Sequence, residues 1–385
     1  MRILLVAPSP FFAERGTPIA VRLLCETLCD VGHAVDLLTY HVGKDIEVPG
    51  LTIHRIPALP FIRTVPIGFS FRKVVCDAVL TVKLLGMVLR NKYDVIHAVE
   101  EAVFPSLVAR RLGRTKLIYD MDSSMADQLL ERWAGLALLR PLLYGLERLA
   151  IRGADSVVAV CDDLAVRARS VDPGKRVAIL RDVPLKPETG GAPAEDLRAA
   201  NGLDGLLMLY VGNLEPYQGI DLLLEALALA KPVRPVSLLV IGGQECDVAK
   251  YRAKARELGL AERVRFLGPR PVGKLAEYLA QATILVSPRL TGNNTPMKIY
   301  SYLAAGKPIV ATNIASHTQV MDDTCAVLVD VAPQAMARGM ERLAADEELG
   351  NRLGAAAESL VKRKYSMEVF RRTITEEYSY LEGGE

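Results

Sequence analysis

Four stretches of this 385-residue chain combine glycine, amide and charged side chains in the way that phosphate and hydroxyl chemistry requires. The first joins Ala7-Pro8-Ser9-Pro10 to Arg15-Gly16-Thr17-Pro18, ahead of an apolar-periodic segment. A glycine such as Gly16 lets the backbone approach a ligand, and a helix start attracts anions, although a plain strand-to-helix loop would read alike. The second, residues 211–221 (VGNLEPYQGID), brackets a long loop with Gly212 and Gly219 and carries Asn213 and Gln218 between them. That is a natural diphosphate cradle. It contains no G-x-G-x-x-G, which disfavours dinucleotide binding of the dehydrogenase type. The third, residues 287–298 (SPRLTGNNTPMK), offers Thr295 as an N-cap and Pro296 as a first helical residue. Free amides there, beside Arg289, Asn294 and Lys298, can grip a phosphate. The fourth comprises residues 97–101 (HAVEE) and 120–124 (DMDSS). Glu101 and Asp122 would follow strand ends, where a carboxylate can orient or activate an acceptor hydroxyl. The bland alternative for each is a helix cap or a solvated loop charge.

Such loops need a scaffold, and the spacing of apolar residues supplies one. Short β-branched runs at residues 3–7, 34–39, 95–97, 116–119, 156–160 and 177–180 alternate with helical stretches such as 21–31 and 136–152. This rhythm predicts a parallel sheet with helices on both faces. Pro184, Pro187, Gly190-Gly191 and Pro193 then punctuate a polar linker, and the alternation restarts with strands at 206–211, 236–241, 264–267, 284–287, 308–311 and 326–329. The expected organisation is a first Rossmann-like domain over 1–183, a linker at 184–199, a second such domain over 200–365, and a terminal helix over 366–385. In open sheets of this kind, ligands bind beyond the carboxyl ends of the strands, which is where the four stretches fall.

Composition narrows the class. Forty-seven basic residues face 45 acidic ones, so the one-signed excess of a nucleic-acid binder is missing. The six cysteines contain no C-x-x-C pair and fit small buried side chains in a reducing cytosol. No uninterrupted apolar run reaches the roughly 18 residues of a membrane span. The segments 74–89 and 136–151 come nearest, and each is expected to be a helix packed on a sheet. Phe69, Phe71, Arg72, Lys73 and Lys83 give the first of them a second reading, as a peripheral contact with the inner face of the membrane. The primary expectation is a cytoplasmic protein.

At this point the residues carry a likeness. Residues 211–225 (VGNLEPYQGIDLLLE) and the stretch SPRLTGNNTPMKIYSYLAAGKPIVAT (287–312) resemble the signatures of family 4 glycosyltransferases of the GT-B fold. Supporting matches are Gly32-His33-Ala34-Val35, residues 93–98 (YDVIHA) and the LER…ADSVVAV pattern within 146–160. The resemblance spans nearly the whole chain in order. It implies two Rossmann-like domains facing a central cleft, and retaining transfer of a sugar from a nucleoside diphosphate sugar (UDP- or GDP-linked) to a glycan, lipid-linked or small-molecule hydroxyl. It implies no metal and no resident cofactor, with the donor on the C-terminal domain and the acceptor on the N-terminal one. Carried onto this sequence, the donor site comprises Gly16, Gly212, Asn213, Gln218, Gly219, Arg289, Asn294, Thr295 and Ser301, and the catalytic group comprises Lys298, Asp122 and Glu101.

Several positions depart from the family pattern. Asn213 and Gln218 stand where many members have Arg and Lys on the diphosphate. Asn293 and Ser301 replace the two glutamates of the Glu-x7-Glu motif, and Asp122 falls where many carry a histidine. The departures keep a second reading open, a sugar-nucleotide-binding protein or subunit with little transferase activity. A sugar-nucleotide epimerase has little support.

Overall fold

The alternation of strands and helices resolves into two doubly wound α/β units, Met1–Arg181 with Phe370–Glu385, and Asp182–Val369. The computed structural model describes residues 1–13, 16–66, 70–185 and 194–383. Arg15, Phe69 and the linker stretch around Pro187, Gly190, Gly191 and Pro193 lie outside the described residues.

The first unit runs β1 (Arg2–Val6), α1 (Gly16–Asp30), β2 (Ala34–Thr39), β3 (Leu51–Arg55), α2 (Phe71–Arg90), β4 (Val95–Val99), α3 (Val103–Gly113), β5 (Lys116–Met121), α4 (Met125–Arg132), α5 (Arg140–Gly153), β6 (Ser156–Ala159), α6 (Asp162–Val171) and β7 (Arg176–Ile179). Its seven strands are all parallel, in the order β3-β2-β1-β4-β5-β6-β7. The near-continuous apolar runs of β1 and β4 follow from burial on both faces. Leu4 and Val6 of β1 join one core with α2, α3, α5 and α6. Their alternates Ile3 and Leu5 point to the opposite layer, because successive strand residues face opposite ways.

The second unit runs α7 (Leu197–Asn201), β8 (Leu206–Val211), α8 (Ile220–Leu229), β9 (Val236–Ile241), α9 (Glu245–Glu257), β10 (Val264–Gly268), α10 (Leu275–Gln281), β11 (Ile284–Ser287), α11 (Met297–Ala304), β12 (Ile309–Thr312), α12 (Ala315–Thr318), β13 (Val327–Val329), α13 (Pro333–Ala345) and α14 (Glu347–Lys364). Its parallel sheet has the order β10-β9-β8-β11-β12-β13. Met208 and Tyr210 of β8 pack with α8, α9 and α13, and Leu207 and Leu209 pack on the other face with α10, α11 and α14.

The last helix, α15 (Met367–Glu382), lays Tyr378 against β4 of the first unit. Tyr378 Oη is 2.8 Å from His97 Nδ1, and the two rings stack at 11° between planes. Glu377 pairs with Arg176 of β7 at 3.1 Å, and Arg371 pairs with Asp30 at the end of α1 at 2.9 Å.

Two features depart from the sequence expectation. β3 went unread, because its polar-interrupted LTIHR at the sheet edge lacks a buried strand's apolar run. The helix expected over 136–152 is broken: residues 134–139 form a 3-10 turn, and only from Arg140 does the chain become α-helical. That segment also packs on the sheet with one side alone. Glu147, Ala150 and Ile151 are buried, whereas Leu138, Leu142 and Leu149 are exposed. The cysteines are all free; Cys25, Cys76, Cys161 and Cys325 are buried and Cys246 is exposed.

Candidate functional site

In a parallel sheet every strand delivers its following loop to the same edge. At that edge of the second unit, the loops after β9, β8 and β11 converge. Gly212, just past β8, has φ +150°, and a side-chain carbon there would stand 3.2 Å from Lys298 Nζ and 3.0 Å from the Tyr210 hydroxyl. Gly219 has φ +76°, and its added carbon would lie 1.9 Å from the Pro288 carbonyl oxygen, so only glycine lets the loops after β8 and β11 meet. The Leu290 amide donates to the Tyr217 carbonyl at 2.8 Å and closes that contact.

Lys298 reaches into this junction from the first turn of α11. Its Nζ lies 3.9 Å from the centroid of the Tyr210 ring and donates to Gln218 Oε1 at 3.2 Å. Gln218 is itself buried. Tyr210 donates its hydroxyl to the Asn213 carbonyl at 2.7 Å, leaving the Asn213 side chain exposed. Arg289 completes the group. Its Nε donates to the Thr291 carbonyl at 2.7 Å, and its guanidinium lies 5.3 Å from the Tyr217 ring centroid. Burial pushes both cations below their ordinary values, Lys298 strongly so, and the charge of Arg289 lowers Lys298 further. Among the described residues neither cation has a carboxylate partner. Two desolvated cations held together by neutral groups are arranged to receive an anion.

The start of α11 corrects the expectation for Thr295. Pro296 occupies the N-cap position and Met297 begins the helix, so Thr295 caps nothing. Its hydroxyl is buried without a hydrogen-bond partner among the described residues. Asn294 lies half-buried on the same loop. Ser301, on the second turn of α11, is buried and accepts the Leu185 amide at 3.2 Å. Sequence reasoning overlooked His317, which lies behind the Arg289 loop. Its Nδ1–H donates to the Thr312 carbonyl at 2.8 Å, and the Ser287 hydroxyl donates to Nε2 at 2.9 Å. Burial, with Lys298 and Arg289 nearby, pushes it down to about 4, so it is neutral and adds no competing charge.

In the first unit, Gly16 opens α1, and an added side-chain carbon there would meet nothing within 4 Å. Glu101 is tied to Lys73 in an ion pair, and Lys73 also donates to the Pro8 carbonyl at 3.0 Å. Asp122 is half-buried directly after β5. Glu100 was passed over in favour of its neighbour. It has φ +52°, unusual for a residue with a side chain, and accepts the Ser123 hydroxyl at 2.9 Å. Desolvation first, then the charges of Asp120 and Glu147, raise its carboxyl to about 7, against the Ser123 hydrogen bond and Lys73. No sequence signal marks it, because the effect comes from strands brought together by the sheet. Among the described residues no group of three or more His, Cys, Asp or Glu is placed to hold a metal.

Comparisons with known proteins agree on one family. The pattern described as Glycosyl transferases group 1 matches residues 194–360, and the Glycosyl transferase 4-like domain matches residues 15–181. A phosphatidyl-myo-inositol mannosyltransferase of Mycolicibacterium smegmatis is 27% identical over 394 residues, covering 100% of this chain and 95% of its own. A sucrose-phosphate synthase from Thermosynechococcus elongatus superposes with a TM-score of 0.81 at 21% identity, over 100% of both chains. Anabaena HepE, solved with UDP, gives 0.75 at 16% identity, covering 98% of this chain and 100% of that one.

Proposed function

Because the chain belongs to the family 4 glycosyltransferases of the GT-B fold, we propose that it transfers a sugar from a nucleoside diphosphate sugar to a hydroxyl acceptor, with retention and without a metal. The observation that carries this is the Lys298–Arg289 pair, two desolvated cations without a carboxylate partner among the described residues, beside the glycine loop at residues 212–219. A diphosphate leaving group gains negative charge as the glycosyl bond breaks, and fixed donors aimed at it lower the barrier. Lys298, Arg289 and the free first-turn amides of α11 are those donors. Gln218 and Asn213 replace charged family residues. Gln218 spends its amide oxygen on aligning Lys298, which leaves its NH2 group for a phosphate oxygen. The Thr295 hydroxyl faces the same task, and the Ser301 hydroxyl hydrogen remains available to a ribose oxygen. Gly16 stays with the donor site, and Asp122 and Glu101 serve the acceptor side, where they orient the incoming hydroxyl.

The test is to incubate the protein with labelled nucleoside diphosphate sugars, UDP-linked first because HepE was solved with UDP, and to follow nucleoside diphosphate release. Release that depends on an added glycan, lipid-linked or small-molecule acceptor supports the transferase. Tight donor binding with no release across the panel favours a binding subunit instead.

A further inference from the structure

The segment from Trp133 to Gly153 turns its amphipathic pattern inside out. Glu147, the single acidic residue of α5, points inward, where it accepts the Ser124 hydroxyl at 2.7 Å and pairs with Arg167 at 3.2 Å. The leucines point outward. Leu138 is 91% exposed, Leu142 58% and Leu149 55%, and Leu142, Leu146 and Leu149 share one helical stripe. A soluble surface rarely presents leucines in such a row while burying its carboxylate.

The neighbouring helices extend the same face. α3 packs against both α2 and α5 on one side of the sheet. Phe71 on α2 is 80% exposed, and Val108 and Leu112 project from α3. The three helices together carry nine basic and two acidic residues. Both acids are turned in, since Asp77 accepts the Tyr40 hydroxyl as Glu147 accepts Ser124. Lys73, Lys83 and Arg110 also bond to the protein itself. Arg72, Arg90, Arg111, Arg140, Arg148 and Arg152 remain on the exposed side, with no ion pair among the described residues.

We propose that this face of the first unit docks onto an anionic lipid bilayer, with the α5 leucines entering the interface and the arginines meeting the headgroups. The charge pattern selects this occupant. An apolar stripe flanked by cations alone complements an anionic surface, whereas a second copy of the same face would set arginine against arginine. Trp133, the chain's one tryptophan, is partly exposed at the head of the segment and acts as a built-in reporter.

The full chain is mixed with vesicles of phosphatidylglycerol and phosphatidylcholine in equal parts, or of phosphatidylcholine alone, and followed by sedimentation and Trp133 emission. The expected result is partition onto the anionic vesicles with a blue shift, weakened by high salt, and little onto the neutral ones. Arg140→Gln with Arg148→Gln should weaken that partition about thirtyfold, at roughly 1 kcal/mol per arginine. Leu142→Gln with Leu149→Gln should weaken it at least about tenfold. The arginine pair has no ion pair among the described residues, so its melting curve should match the unaltered chain and keep the test valid if the leucine variant folds poorly. Absence of sedimentation with anionic vesicles at millimolar lipid overturns the proposal. So does equal binding to both vesicle types, or a dimer in ultracentrifugation that the leucine changes dissolve.

Discussion

The Lys298 ammonium rests against the Tyr210 ring and the Gln218 amide, with Arg289 as its neighbouring charge. Its folded pKa lies below the ordinary 10.5. Between that lowered value and 10.5, the folded chain binds fewer protons than the unfolded one, so stability of the unliganded protein rises with pH there. A bound diphosphate reverses the shift, and donor binding at alkaline pH should therefore take up a proton. Calorimetry of nucleoside diphosphate binding in buffers of different ionisation heats measures this. Buffer-independent heats would remove Lys298 from the phosphate contacts. Lys298→Ala should raise the donor Kd at least tenfold, about 1.4 kcal/mol, with little change in melting temperature. Glu100 shows the opposite sign. Its carboxyl rises from 4.5 to about 7, so the unfolded chain loses this proton first as pH increases, and stability falls between those values. The loss accumulated over that interval amounts to about 3 kcal/mol at most. Glu100→Gln should flatten that part of the profile in urea titrations from pH 5 to 7.5, and an unchanged slope would assign it elsewhere. The place of Lys298 beside the glycine loop was legible in the sequence, because a lysine just inside a helix that follows a strand-end loop is delivered to the same sheet edge as the other strand-end loops. Glu100 was not, because its environment comes from Ser123, Asp120 and Glu147 on a different strand and helix.

The elements themselves were mostly legible, since both halves alternate apolar runs with amphipathic helices and that pattern depends only on local spacing. What escaped was whatever tertiary contact decides. The edge strand β3 is read only by its pairing to β2, and the helix at 136–152 shows its inverted faces only once Glu147 meets Arg167. Thr295 had the chemistry of a cap, yet the chain begins α11 at Met297. Contact between loops governs Gly219 as well. Alanine there would need φ +76° and place its side-chain carbon 1.9 Å from the Pro288 carbonyl. The backbone strain and displacement cost about 3 kcal/mol together, which for a unit of this size lowers the melting temperature by roughly 6–12 °C. Donor binding should fall with it. An unshifted melt would mean that the two loops are free to separate. Ser301 supports the linker end through the Leu185 amide. Ser301→Ala leaves that amide without its acceptor, at about 1–3 kcal/mol, and removes the hydroxyl offered to the donor. The expected result is a lower melt together with a donor Kd weakened about threefold to tenfold. A lower melt with unaltered donor affinity would confine Ser301 to holding Leu185.

On the scale of the whole molecule, the first unit is discontinuous in sequence, because Phe370–Glu385 belongs to it although the second unit intervenes. The aromatic-rich final segment announced a helix, but only the structure shows how much of the first unit's outer layer depends on it. Phe370, Ile374, Tyr378 and Leu381 are buried, and Tyr378 also bonds and stacks on His97. Burial of four such side chains contributes about 6–12 kcal/mol, as much as the net stability of an ordinary domain. Truncation after Ser366 should therefore unfold the first unit while the second, whose cores contain none of these side chains, keeps its structure. The chain provides its own probe for this. Trp133 lies in the first unit, so its fluorescence follows that unit alone, whereas far-UV circular dichroism follows both. The truncated chain should show unfolded Trp133 emission in water while retaining a cooperative dichroism melt and the capacity to bind a nucleoside diphosphate. The milder Tyr378→Phe keeps the stacking and removes the bond to His97, a loss of about 1 kcal/mol that lowers the fluorescence-detected transition by a few degrees. If the truncated chain instead melts by fluorescence as the full one does, α15 is a passive covering, and the first unit closes its core without it.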